Sequence, residues 1–238
     1  IEVQDYTETT LFRFNKNSLL IKSIVFEEKP WFMGLRENEL FLGIGRPRCG
    51  YLVVNDDYQI NHEIIIGESP ITLGTKTDSG FLLGHSNGTI TKIENDEKEI
   101  IKFENSPVTS VTERNNSWYV GNENGGIISS NNWKVNLFGR IDCLIQVGNL
   151  IWAGVITGKK GIYLLDKNNG ETKYTVIHDS RVRLMKSLNG KIALSDENGK
   201  VIFLEEEIVY RRLNQDKEIP QDQEKRDLLK KRLRALRK

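Results

Sequence analysis

Phe81-Leu82-Leu83-Gly84-His85-Ser86-Asn87-Gly88-Thr89-Ile90-Thr91 holds two short apolar runs around a polar turn. The first run is too short for a helix and ends on glycine, Asn87-Gly88 accepts the positive φ of a tight turn, and the second run resumes with β-branched residues. The stretch therefore predicts a β-hairpin. Its first run recurs along the chain as Leu40-Phe41-Leu42-Gly43, Trp118-Tyr119-Val120-Gly121, Ile151-Trp152-Ala153-Gly154 and Ile192-Ala193-Leu194-Ser195, and the closing small residues, in chain order from Gly43, lie 41, 37, 33 and 41 positions apart. The second run recurs as Gly50 to Val54, Gly126 to Ile128, Gly161 to Leu165 and Gly199 to Phe203.

A further strand precedes each hairpin, within Lys29 to Met33, Ser69 to Leu73, Ser106 to Ser110, Gly139 to Cys143 and Ser180 to Leu184. Pro30, Pro70 and Pro107 share one phase of this repeat, and proline is tolerated where a strand begins. A fourth strand is expected over Gln59 to Ile66, Glu99 to Phe103, Trp133 to Phe138, Thr172 to Ile177 and Ile208 to Leu213. Four short antiparallel strands per unit of roughly 40 residues predict an all-β propeller of about five four-stranded blades.

On these features the sequence resembles the WD40-like β-propeller superfamily over residues 29 to 213. The likeness lies in the period, the small residue that ends the second strand and the glycine that opens the third. Two departures mark the resemblance as a divergent one. The Trp-Asp dipeptide is missing, the third strands ending on Asn55, Ile93, Ser130, Asp166 and Glu205, and the Gly84-His85 pair falls in a hairpin turn instead of ahead of the first strand.

Residues 1 to 28 contain two more strands, Thr9 to Phe14 and Leu19 to Phe26, read as the outer half of another blade or the closing strand of the ring, with an extension that merely covers an edge as the alternative. Either the ring has five blades, or it is open and another chain or a missing segment completes it. A chain opening on Ile1 instead of Met reads as processed, trimmed or excised from something longer.

The chain has 238 residues with 38% apolar and 28% charged side chains, a soluble globular composition that excludes collagen-like, disulfide-rich and disordered classes. No apolar stretch approaches the roughly 20 residues of a membrane-spanning helix, and the polar, acidic start lacks the pattern of a secretory signal. Two distant cysteines, Cys49 and Cys143, suit a reducing compartment, and the expected localisation is intracellular, cytoplasmic or nuclear. The net charge of +1 conceals a polarity: residues 211 to 238 carry 11 Lys+Arg and 5 Asp+Glu, a net of +6, against −5 for residues 1 to 210. Residues 214 to 238 predict a basic amphipathic α-helix after Pro220, with Leu229, Leu233 and Leu236 on one stripe and Lys230, Lys231, Arg232 and Arg234 beside it.

Chemistry-bearing patterns are few. His62, His85 and His178 lie in different units and share no metal-ligand spacing. Gly154 to Lys160 departs from a phosphate loop in its spacing and lacks the closing hydroxyl residue. The repeat alignment places Phe32, Thr72, Thr109, Asp142 and Arg183 at one innermost position, and a single carboxylate there supplies no acid/base pair. Arg140, Arg181 and Arg183 are candidates for a basic spot on the rim that faces an acidic peptide or phosphate, with Trp31 a further partner-binding candidate of the rim; the alternative for the arginines is ion pairing, such as Asp142 with Arg183 between neighbouring blades. The sequence thus predicts a non-catalytic scaffold for protein partners within a complex, without cofactor, metal, small-molecule substrate or membrane, and with the C-terminal helix as a second docking element. The alternative is an RNA- or ribosome-associated propeller acting through the basic tail.

Overall fold

The structure is a computed structural model that describes residues 9–14, 16–17, 19–46, 48–63, 69–95, 97–156 and 161–213. The hairpin motif forms wherever the sequence repeats it. The first blade is β3 (Pro30–Arg36), β4 (Glu39–Ile44), β5 (Tyr51–Val54) and β6 (Ile60–Glu63). The second is β7 (Ile71–Lys76), β8 (Gly80–His85), β9 (Thr89–Glu94) and β10 (Glu97–Lys102). The third is β11 (Val108–Arg114), β12 (Ser117–Asn122), β13 (Gly126–Ser129) and β14 (Lys134–Asn136). The fourth is β15 (Arg140–Val147), β16 (Leu150–Ile156), β17 (Gly161–Asp166) and β18 (Thr172–Ile177). The fifth comprises β19 (Val182–Leu188), β20 (Lys191–Asp196) and β21 (Val201–Glu205). Each is an antiparallel meander in sequence order. Ahead of them, β1 (Thr9–Phe14) and β2 (Leu20–Phe26) pair as a separate two-stranded sheet.

The core is divided into layers between sheets. Phe41, Phe81 and Ile71 pack between blades one and two, Leu82, Ile90 and Val108 between two and three, Tyr119, Ile141 and Ile151 between three and four, and Ile145, Trp152 and Met185 between four and five. In the first three blades the small residue at the end of the second strand exists for this contact. A methyl group placed on Gly43, Gly84 or Gly121 would lie 2.7, 2.4 or 2.5 Å from Ile71, Val108 or Ile141, a residue at the start of the next inner strand. Glycine there lets the neighbouring inner strand approach closely.

Inner strands pack in succession, β3 with β7, β7 with β11, β11 with β15 and β15 with β19. No comparable packing joins β19 back to β3 among the described residues. The described blades therefore form an arc, and the β1–β2 hairpin covers part of its first face: Leu11, Ile24 and Phe26 pack on Leu42, Leu52 and Val54.

One expected strand is replaced. Instead of a fourth strand over Ile208 to Leu213, residues 206–213 are helical (α1). Val209, Tyr210 and Leu213 pack on the layer between blades four and five, a spacing that a helix brings to one side and strand alternation does not. The Tyr210 hydroxyl donates to the Val147 carbonyl and accepts from the Asn149 N–H at 3.2 Å. Glu206 and Glu207 at its start complement the helix dipole. The predicted tail helix, including Leu229, Lys230, Lys231, Arg232, Leu233, Arg234 and Leu236, lies outside the described residues.

Candidate functional site

Every inner strand carries a bulge near its start. The register shifts between Pro30 and Phe32, Ile71 and Leu73, Val108 and Ser110, Ile141 and Cys143, and Val182 and Leu184. The inserted residues are Trp31, Thr72, Thr109, Asp142 and Arg183. A bulge re-aims its side chain, and here it does so five times at the same level of the arc. In the first blade this position belongs to Trp31 and not to Phe32, which packs instead against Phe81 at 5.8 Å between ring centroids. Alignment on the prolines put Phe32 there: Pro30 is itself paired in its strand, with Ile44, whereas Pro70 and Pro107 each stand one residue ahead of the first paired residue, Ile71 or Val108.

The bulge residues do different work. The Thr72 hydroxyl lies 3.2 Å from the Gly84 carbonyl and 3.1 Å from that of Val108 in the next blade. Thr109 repeats the arrangement with Gly121 at 3.4 Å and Ile141 at 2.6 Å. Asp142 is the acceptor for Arg181 of the fifth blade, whose Nε and Nη2 each lie 2.5 Å from a carboxylate oxygen, and for Arg140 Nε at 3.2 Å. The interblade ion pair expected of Asp142 with Arg183 is thus made by Arg181, because the bulge carries Arg183 away from that carboxylate. The Asp142 carboxylate holds the Arg181 guanidinium above its ordinary pKa. Arg140 also reaches Glu123 at 2.8 Å. Arg183 is exposed and has no carboxylate partner among the described residues.

Trp31 is 55% exposed. With Thr72, Thr109, Glu123 and Arg140 it lines a cavity of about 410 Å³ on the inner side of the arc. The Lys29 ammonium sits 4.5 Å from its ring centroid, a cation–π contact. Of the candidate rim residues, the fold brings Trp31 and Arg140 to this cavity, draws Arg181 into an interblade ion pair, and leaves Arg183 on the open side of the last blade.

In the first, second, third and fifth blades a second device ties the end of the second strand, or the turn that follows it, to the loop entering the blade. In the second blade, the buried His85 contacts the Ser69 carbonyl at 3.0 Å through Nδ1 and the Thr91 hydroxyl at 2.9 Å through Nε2, and burial lowers its pKa. Asn122 donates to Glu104 at 2.5 Å in the third blade. In the fifth, Asp196 accepts from Ser180 at 2.9 Å, from His178 at 3.2 Å, and from the Asn198 and Lys200 N–H groups at 3.0 Å each. In the first, buried Glu28 takes two contacts from Arg48, whose guanidinium lowers its pKa. These residues differ in type from blade to blade, so the sequence shows no repeated letter by which to find them. Ser180 hydrogen-bonds the carboxylate and not the imidazole, so the Ser, His and Asp of the fifth blade form a loop clamp and not a nucleophile–base relay. Among the described residues, no group of three or more His, Cys, Asp or Glu side chains is placed to hold a metal ion, and no helix is long and apolar enough to cross a membrane.

No protein-family model and no curated protein matches this chain. Solved structures do. The C-terminal WD40 domain of Sif2 superposes with a TM-score of 0.67 at 11% identity, over 84% of this chain and 62% of that one. The computationally designed Ika8 protein gives 0.64 at 13% identity, over 79% of this chain and 62% of its own. This chain therefore spans less than two thirds of either protein. Identities this low speak for fold alone. The repeated meander, the glycine contacts between blades and these superpositions together show that the chain has a β-propeller fold, similar to that of a WD40 domain.

Proposed function

We propose that the protein is a non-catalytic scaffold that binds other proteins within a complex. The arc of blades is rigidified by interblade packing and polar ties, and it presents Trp31 beside the cavity of the inner side as an anchor. That half-exposed tryptophan, held at a bulge beside Lys29 and within reach of Arg140 and Glu123, is the observation that carries the reading. Aromatic side chains in a partly polar setting are the residues most often dominant in protein interfaces. Residues 214 to 238 are proposed as a second attachment point, with their leucine stripe and basic flank. The RNA-associated alternative rests on that tail alone.

Affinity purification of the full chain with quantified co-purifying proteins tests this. Trp31→Ala, Arg183→Glu and removal of residues 214 to 238 are each expected to lower the recovery of specific partner chains several-fold while the far-ultraviolet dichroism stays unchanged. An unaltered partner set in all three variants overturns the scaffold reading. Nucleic acid that co-purifies and is lost with the tail and with added salt supports the RNA alternative instead.

A further inference from the structure

Among the described residues nothing packs on the outer face of the last blade, and the composition of that face specifies what covers it. By strand register, Leu184, Lys186 and Leu188 of β19 match Cys143, Ile145 and Val147 of β15, Lys191 matches Leu150, and Val201 and Phe203 of β21 match Ile162 and Leu164 of β17. In the fourth blade these positions are buried beneath the fifth: Val147 and Leu164 are 0% and 1% exposed, whereas Leu188 and Phe203 are 74% and 73% exposed. The face keeps much of the apolar character of an interblade surface without a blade upon it.

It departs from that pattern at two places, where Ile145 and Leu150 become Lys186 and Lys191. Arg183 adds a third cation at the bulge position, the one through which Thr72 and Thr109 bond the carbonyls of a following blade. Arg183, Lys186 and Lys191 have no ion-paired carboxylate among the described residues, and Glu205, opposite Lys191 in the ladder, is the one acid of the ladder on this face. At Ser195, too, the glycine of the preceding four blades is absent, so the cover need not approach as closely there as a blade of this chain does.

We infer that the open face of β19, β20 and β21 is an interaction surface for a β-hairpin of a partner protein that carries apolar and acidic side chains together on one of its two faces. The apolar residues would lie on Leu184, Leu188, Val201 and Phe203, and the carboxylates would meet Arg183, Lys186 and Lys191. Charge complementarity selects this occupant. The chain's own tail carries a net +6 over residues 211 to 238 and is repelled by the same cations, and a second copy offering this face would set like charges against each other. The inference rests on the scaffold reading and names the chemistry of one of its partners.

The test uses the full chain and two synthetic, cyclised β-hairpin peptides of equal length, with Thr along one face and, along the other, Val with Glu in the first peptide and Val with Lys in the second, binding being followed by fluorescence anisotropy at low and high salt. The Val/Glu hairpin is expected to bind and to weaken with salt. The exposed double substitution Lys186→Glu with Lys191→Glu is expected to cost it about tenfold or more and to confer binding of the Val/Lys hairpin. Leu188→Ser with Phe203→Ser is expected to weaken binding without charge reversal. No binding of the Val/Glu hairpin, or binding indifferent to charge reversal, overturns the inference. So does a self-association abolished by Phe203→Ser, which makes a second copy the occupant, or an affinity that rises when residues 214 to 238 are removed, which makes the tail the occupant. If the Lys186→Glu/Lys191→Glu protein retains its co-purifying chains while the wild type ignores the hairpin, this inference fails and the scaffold reading stands.

Discussion

Two residues whose burial is invisible in the sequence set chemical behaviour that can be measured directly. His85 is buried between the Ser69 carbonyl and Thr91, and burial holds its pKa below the ordinary histidine value. The unfolded chain therefore binds a proton in a range where the folded one does not, so stability falls as pH drops below about 6.5, until the folded-state pKa is passed. Thermal unfolding followed from pH 8 to 5.5 is expected to show a falling midpoint, and His85→Gln to flatten that slope while lowering the midpoint at pH 8. Cys143 packs between blades four and five, and burial, with Asp142 beside it, pushes its thiol up to about 12. Cys49 is buried as well. Ellman's reagent at pH 8 is expected to leave both thiols unmodified in the native protein and to titrate both in denaturant; fast reaction of Cys143 in the native state would contradict the packing described.

Elements lock to one another through glycine and tyrosine contacts whose strength can be assayed. Gly121 lies against Ile141 so closely that Gly121→Val must push β15 away, with an expected loss of about 1–3 kcal/mol in urea unfolding. Ser195→Val, at the equivalent position on the uncovered blade, is expected to change stability by less than about 0.5 kcal/mol. Equal effects at the two sites would mean that the fifth blade is covered. Helix α1 is held by the Tyr210 hydroxyl, shared between Val147 and Asn149, and Tyr210→Phe is expected to cost about 1–2 kcal/mol. This helix was not legible in the repeat. The phase of the preceding units called for a strand, and only the layer between blades four and five offered Val209, Tyr210 and Leu213 something to pack on.

At the scale of the molecule, an arc has two ends, and both are unequal to its middle. Blades two to four are packed on both faces, whereas β1, β2 and the outer face of the fifth blade border solvent with Phe12, Phe14, Leu188 and Phe203 exposed. In a repeat array each unit is stabilised by its neighbours, so the ends open first. Hydrogen exchange followed by mass spectrometry is expected to show the weakest protection in β1–β2 and β21 and the strongest in β12 and β16. Uniform protection across the blades would indicate a closed ring.

The sequence alone determined the blades, because a two-residue alternation, a turn pair such as Asn87-Gly88 and a small residue against the next strand are local requirements that each unit meets within its own 33 to 41 residues. It also brought Trp31, Arg140, Arg181 and Arg183 forward as candidates, since the repeat phase places them near the start of the inner strands. Tertiary structure decided what those candidates do. Whether an arginine pairs or stands free depends on where a bulge turns it: Asp142 took Arg181, and Arg183 was left on the open side. The clamps of His85, Asn122 and Asp196, and the uncovered face of β19 to β21, are set by which loop or blade arrives alongside. Such contacts join residues from different loops or different units, and no periodicity within a unit encodes them.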